Sequence, residues 1–141
     1  MKYLDKMPDW LRWILFLPSS FLALLIIYPT VTIINDFTIS MVIGESFFYK
    51  IWILIVANFA SAIGFIYVGS IMVPKNNFTV SIFLSILYSF LMGASFILRL
   101  MFGVGASISW LEMVIIIATG ILAAVIMIRY FHDTYINIEE M

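Results

Sequence analysis

Four apolar blocks, each about long enough to cross a bilayer, constrain this chain more than any other feature. They cover residues 11–34, 51–73, 78–98 and 108–128. A helix that crosses a membrane needs about 20 mostly apolar residues, because each residue advances the helix by about 1.5 Å. Isolated strands cannot cross lipid, since their backbone groups would lack hydrogen-bond partners. The blocks therefore predict an all-α integral membrane protein with four transmembrane helices in an up-down antiparallel bundle with short loops.

The composition supports a membrane protein. The chain has 141 residues, of which 65% are hydrophobic and 11% are charged, and its mean hydropathy is +1.16. Soluble domains are typically about 45–50% apolar and about 25% charged, and a chain of this size buries too little surface to hide such an excess. We expect one transmembrane domain over residues 1–141, with amphipathic ends at 1–10 and 129–141.

The connections between the blocks differ in character. Residues 73–77, Val-Pro-Lys-Asn-Asn, have the composition of a tight turn, which predicts a close antiparallel hairpin of spans two and three. Residues 35–50 are longer and still apolar, so we expect this connection to lie in the outer membrane interface.

The basic residues predict the orientation. Five of the seven fall on one side of the predicted bundle: Lys2, Lys6, Arg12, Lys75 and Arg129. The other side carries Lys50 and Arg99. Because basic residues concentrate on the cytoplasmic side of membrane proteins, we expect both termini in the cytoplasm, which in a bacterium places the chain in the inner (plasma) membrane.

Several classes of chemistry find no support in the sequence. The net charge is −1, so no basic excess predicts nucleic-acid binding. The chain has no cysteine and a single histidine, and we expect no metal site and no cofactor. No nucleophile stands beside a base, no carboxylate pair lies within a span, and no phosphate-binding loop is present, so we predict a protein that is not an enzyme.

Span three carries the most regular polar pattern. Ser81, Ser85, Ser89 and Gly93 recur at four-residue spacing and therefore share one helix face. We call these residues the small-residue stripe. Small residues let helix backbones approach closely in lipid, and serine hydroxyls can bond across helices. The stripe is thus either a packing face or the lining of a narrow pathway, and the spacing favours packing.

Spans two and four carry related residues. Ser61 and Gly64 lie in span two, and Gly120 and Ala124 repeat the small-residue spacing in span four. Asn58 is the most polar side chain well inside any span. An intramembrane amide either bonds to a neighbouring helix or contacts a permeant species, and the first role is the more common.

Two further features lie at the predicted membrane boundaries. Arg99 and Glu112 occupy the outer ends of spans three and four, where antiparallel helices would bring them together as an ion pair. At the other boundary an apolar stripe follows 3-4-3 spacing along one helical face: Ile128, Phe131, Tyr135 and Ile138. This stripe can lie on lipid headgroups, pack against the amino-terminal segment or receive a protein partner.

Three functions remain open. The first is a membrane subunit or anchor that self-associates, with lipid, further copies and a cytoplasmic or membrane protein as partners. The second is an oligomeric channel or membrane-permeabilising effector, such as a bacterial toxin or antiviral defence component. The third is a small transporter, which the absence of buried charge disfavours. A pore needs a continuous wet path along Ser81, Ser85 and Ser89, whereas a subunit buries these serines at helix contacts.

Overall fold

The computed structural model describes residues 7–43, 47–102 and 110–139, and this part of the chain forms four α-helices. These are α1 (Asp9–Ile43), α2 (Phe47–Met72), α3 (Asn77–Phe102) and α4 (Trp110–Glu139). Each contains a stretch long and apolar enough to cross a membrane. The predicted all-α fold with four transmembrane helices is confirmed.

The first and last helices extend beyond the apolar blocks that predicted them. We expected the chain after residue 34 to lie in an interfacial connection, but α1 continues to Ile43. The polar residues of this segment are accommodated by their own helix, because Asn35 Nδ2 donates to Val31 O at 2.8 Å and Thr38 Oγ1 donates to Ile34 O at 2.7 Å. At the other end of the chain α4 continues to Glu139.

The hairpin of α2 and α3 has the short turn that the sequence predicts. Helix α2 ends at Met72 and α3 begins at Asn77. Asn76 reverses the chain with a φ of 63°, a left-handed conformation that asparagine tolerates better than most residues. Its carbonyl then accepts a hydrogen bond from the Val80 amide at 3.1 Å and so starts α3.

Helix α2 lies at the centre of the bundle. It packs against each of the other three helices, while α3 and α4 also pack against each other. In the most apolar stretch of each helix, 39% of the residues are buried in α2 and 6% in α1. Helix α1 is therefore peripheral and turns most of its surface outward. The apolar core draws on α2, α3 and α4: Ala62, Phe65, Ile66, Val73, Val80, Leu84, Tyr88, Ala123, Ala124, Met127 and Phe131.

Helices α1 and α2 are joined at both ends of the bundle. At the end that carries the α2–α3 turn, here called the turn end, Arg12 Nε donates to Met72 O at 3.0 Å. A cation at this place is favourable because the last carbonyls of α2 carry partial negative charge. At the opposite end, here called the distal end, the Tyr49 hydroxyl donates to the Asp36 carboxylate. The two bonds hold α1 antiparallel to α2.

Between these bonds, two glycines of α2 allow close approach of neighbouring helices. A Cβ on Gly64 would collide with Ile27 of α1. A Cβ on Gly69 would collide with Ser20 of α1 and would lie 2.5 Å from Leu84 Cδ1 of α3. Since lipid provides no hydrophobic force between helices, close packing at such small residues stabilises the bundle.

Candidate functional site

The small-residue stripe of α3 divides into a packed half and an open half. Ser81 is 0% exposed and Ser85 is 4% exposed. Their hydroxyls donate within α3, to Phe78 O and Ser81 O, each at 2.7 Å. Ser89 is exposed, and a Cβ placed on Gly93 would meet no atom of the described residues within 4 Å. The bundle therefore uses the first two positions of the stripe and leaves the last two uncovered.

The open half of the stripe borders a groove between α3 and α4. This groove has a volume of about 160 Å³ and is lined by Tyr88, Ser89, Met92, Gly93, Ile117, Gly120 and Ile121. Gly120 is packed against the side of the Tyr88 ring, since an added Cβ would lie 3.1 Å from Tyr88 Cε1. Small residues thus occur on both walls of the groove, Ser89 and Gly93 on α3 and Gly120 on α4.

A row of aromatic rings crosses the middle of the bundle. Phe21 of α1 meets Phe65 of α2 edge to face at 5.5 Å, and Phe65 meets Tyr88 of α3 at 5.7 Å between ring centroids. We call these three residues the aromatic row. Towards the turn end the interior is closed, because Phe65 and Leu84 are fully buried. The described part of a single chain therefore has no continuous wet path along the stripe.

On the distal side of the aromatic row the four helices border a half-open cleft of about 180 Å³. Every helix contributes to its wall: Leu24, Tyr28, Asn58, Ser61, Tyr88, Met92, Ser95, Met113, Ile116 and Ile117. None of these side chains carries a charge. The cleft combines a polar wall, mostly from α2 and α3, with a wall of methionine, leucine and isoleucine side chains.

Three polar side chains of the cleft lining are buried: Asn58, Ser61 and Tyr88. The Asn58 side chain is 4% exposed. The Tyr88 hydroxyl is buried and has no partner in the described part of the chain. Ser61 differs, because its Oγ donates to Ala57 O at 2.6 Å. Buried hydroxyls are normally hydrogen-bonded, so the unbonded Tyr88 hydroxyl marks the polar wall of the cleft as unusual.

The pattern of small and polar residues led to Asn58 and Ser61 but not to Tyr88. Most other tyrosines and the tryptophans stand near the predicted ends of spans, as an interfacial belt does. Tyr88 stands in the middle of span three, and this position was the signal that could have identified it.

The remaining predicted residues lie elsewhere. Ala124 is in the core and Gly64 faces Ile27 of α1. Glu112 lies in the first turn of α4, where a carboxylate is favourable to the helix dipole. The side chain of Arg99 lies outside the described residues, so the ion pair with Glu112 stays a prediction.

The apolar stripe at the end of α4 is partly used inside the chain. Phe131 is 6% exposed and lies against Tyr67 of α2, with 6.2 Å between the ring centroids. Ile128 is half-buried, and the side chains of Tyr135 and Ile138 lie outside the described residues. The Phe131 ring thus packs on α2, and docking of a partner on the rest of the stripe stays a prediction.

No three His, Asp or Glu side chains of the described residues lie close enough together to hold a metal ion. The chain matches no protein-family model, no curated protein and no solved structure.

Proposed function

We propose that the protein is a non-enzymatic inner-membrane protein that self-associates and serves as the membrane subunit or anchor of a larger assembly. Its turn end, with Arg12, Lys75 and Arg129, faces the cytoplasm, in keeping with the distribution of basic residues. The observation that carries this proposal is the open half of the small-residue stripe, together with the groove beside it.

The groove suits a helix of a second copy. Ser89 and Gly93 keep side-chain bulk low on the α3 wall of the groove, and small residues at such a surface let two helix backbones approach closely in lipid. Ser81 and Ser85, at the same spacing on the same helix, are already covered by the chain's own packing. The stripe therefore supports both the fold of one copy and the contact between copies.

Peripheral α1 supports the wider role of a subunit. It packs mainly along α2 and leaves most of its apolar surface outward. Such a surface can contact lipid or another membrane protein. A membrane subunit of an assembly makes both kinds of contact.

Self-association is tested by measuring the dimer fraction in liposomes over a series of protein-to-lipid ratios, by single-molecule photobleaching of labelled chains. Gly93→Leu fills the open half of the stripe. We expect it to raise the dissociation constant about tenfold or more, which corresponds to about 1.4 kcal/mol. Ala118→Leu places the same leucine side chain at an exposed position outside the groove and is expected to leave the dimer unchanged. A wild-type chain that stays monomeric at every ratio contradicts the proposal.

A channel or permeabilising effector is the second candidate, and the cleft is the observation that favours it. Neutral polar groups from α2 and α3 face a space that all four helices border. Conduction through one chain would require the aromatic row to move, because Phe65 and Leu84 close the interior. Ion flux from potassium-loaded liposomes tests this candidate. Flux that depends on the protein and increases in Leu84→Ser would favour the channel over the subunit.

A further inference from the structure

The polar wall of the cleft contains buried groups that can form hydrogen bonds. The Asn58 amide can donate two hydrogen bonds and accept two, and the Tyr88 hydroxyl can donate one. The Tyr88 hydroxyl is buried and has no partner among the described residues, and the Asn58 side chain is at least nine-tenths buried. Leaving a buried hydroxyl unbonded inside a protein costs free energy, so an occupant that bonds to it is favoured.

The opposite wall and the missing charge define the chemistry of that occupant. Met92, Met113 and Ile116 supply apolar surface, and methionine adapts its shape to what it contacts. Among the described residues no charged side chain lines the cleft, so an ion would lose its hydration without gaining a counter-charge from them. The occupant is therefore uncharged, with one polar edge and an apolar body.

The volume sets the size. The cleft measures about 180 Å³, and an apolar protein cavity of about 150 Å³ is known to accept benzene. We propose that the cleft is a binding site for a small uncharged organic molecule, about as large as a substituted benzene, whose hydroxyl or amide group bonds to Asn58 and Tyr88. The cleft shares Tyr88 and its neighbours with the α3–α4 groove that the proposed self-association uses. Its other lining residues lie outside that groove.

Three fluorinated probes of similar size separate the contributions of polarity, apolar contact and charge to binding in the cleft. These are 4-fluorophenol, which is uncharged and polar, fluorobenzene, which is apolar, and 4-fluorobenzoate, which is charged. Binding is measured by ¹⁹F saturation-transfer NMR on the full chain in nanodiscs, with empty nanodiscs as the blank for partition into lipid. We expect saturable transfer for 4-fluorophenol, weaker transfer for fluorobenzene, and no transfer above the blank for 4-fluorobenzoate.

Two variants test the hydrogen bonds. Asn58→Leu and Tyr88→Phe each remove one polar group, and Tyr88→Phe keeps the ring that packs against Phe65 and Gly120. Each is expected to weaken 4-fluorophenol binding about fivefold to tenfold, the value of one neutral hydrogen bond, without weakening fluorobenzene binding. Thr30→Val is the control, because this threonine is exposed on α1 and lies outside the cleft.

Several results would overturn the inference. One is 4-fluorophenol transfer equal to the blank, which would mean that only water or lipid occupies the cleft. Another is equal 4-fluorophenol binding by the wild-type chain and Tyr88→Phe, and a third is tighter binding of the charged probe. Gly93→Leu separates this inference from the proposed self-association. When the titration is repeated with this variant, we expect it to be monomeric and still to bind 4-fluorophenol.

Discussion

Gly69 is the position at which a single methyl group should disturb the bundle most clearly. A Cβ on Gly69 would lie 2.5 Å from Leu84 Cδ1 and closer still to Ser20 Oγ. Both neighbours are fully buried, and Ser20 Oγ is engaged with Phe16 O at 2.8 Å. Because both side chains are packed on all sides, we expect Gly69→Ala to strain the packing of α1 and α3 against α2. Overpacking of this kind costs about 1–3 kcal/mol.

Gly93→Ala is the matched control. Both glycines lie inside helices, so both substitutions receive the same gain in helix stability, about 0.5–1 kcal/mol. A Cβ on Gly93 meets nothing within 4 Å in the described part of the chain and adds no clash there. The difference between the two variants therefore isolates the packing cost, and we expect Gly69→Ala to be less stable than Gly93→Ala by about 1–3 kcal/mol.

The assay is reversible unfolding in mixed micelles with rising SDS fraction, followed by near-ultraviolet circular dichroism at a dilution that keeps the chain monomeric. The free energy of unfolding is compared for the wild type and both variants. Equal free energies for Gly69→Ala and Gly93→Ala would refute the reasoning, because they would mean that the contact of α1, α2 and α3 at Gly69 accommodates a methyl group without cost.

Three further predictions concern single positions. Ser70→Ala removes a buried hydroxyl that has no partner among the described residues and is expected to raise the free energy of unfolding in the same assay by about 1 kcal/mol. Ser85→Ala, which loses a bond to Ser81 O, should give no such gain. Asn76→Val should lower the free energy of unfolding by about 1–2 kcal/mol, because residue 76 has a positive φ. Asn76→Gly should leave the free energy of unfolding unchanged. An unchanged free energy for Asn76→Val would contradict this turn geometry. The orientation is tested with single cysteines, because the chain has no cysteine of its own. A membrane-impermeant thiol reagent added to whole cells should label Lys50→Cys and not Lys75→Cys. The reverse pattern would invert the proposed topology.

The helices could be predicted from the sequence because lipid leaves an apolar block of this length few alternatives. The α2–α3 turn was predictable too, since Pro74 and Asn76 both favour chain reversal. The end of α1 was not. Asn35 and Thr38 are typical of a span boundary, and only the hydrogen bonds to their own helix show that α1 continues past them.

The site was less predictable, because spacing tells which residues share a face and not which neighbour covers it. Four-residue spacing placed Ser81 and Ser89 together, yet the bundle buries one and exposes the other. Gly69 escaped the small-residue pattern because the residue four positions before it is Phe65. The role of Tyr88 depends on contacts with α2 and α4, and no local pattern in α3 encodes them.

Disulfide trapping between copies tests the central claim most directly, namely that the turn-end half of the stripe packs inside one chain while the distal half receives a second. Because the chain has no cysteine, Gly93→Cys and Ser85→Cys each introduce a single thiol. Copies that meet at the groove bring paired thiols within disulfide reach, which requires Cα atoms about 4.4–6.8 Å apart. We predict that mild oxidation in native membranes yields covalent dimers of Gly93→Cys and leaves Ser85→Cys monomeric. Monomers of Gly93→Cys, or equal dimer yields from both variants, would contradict the account.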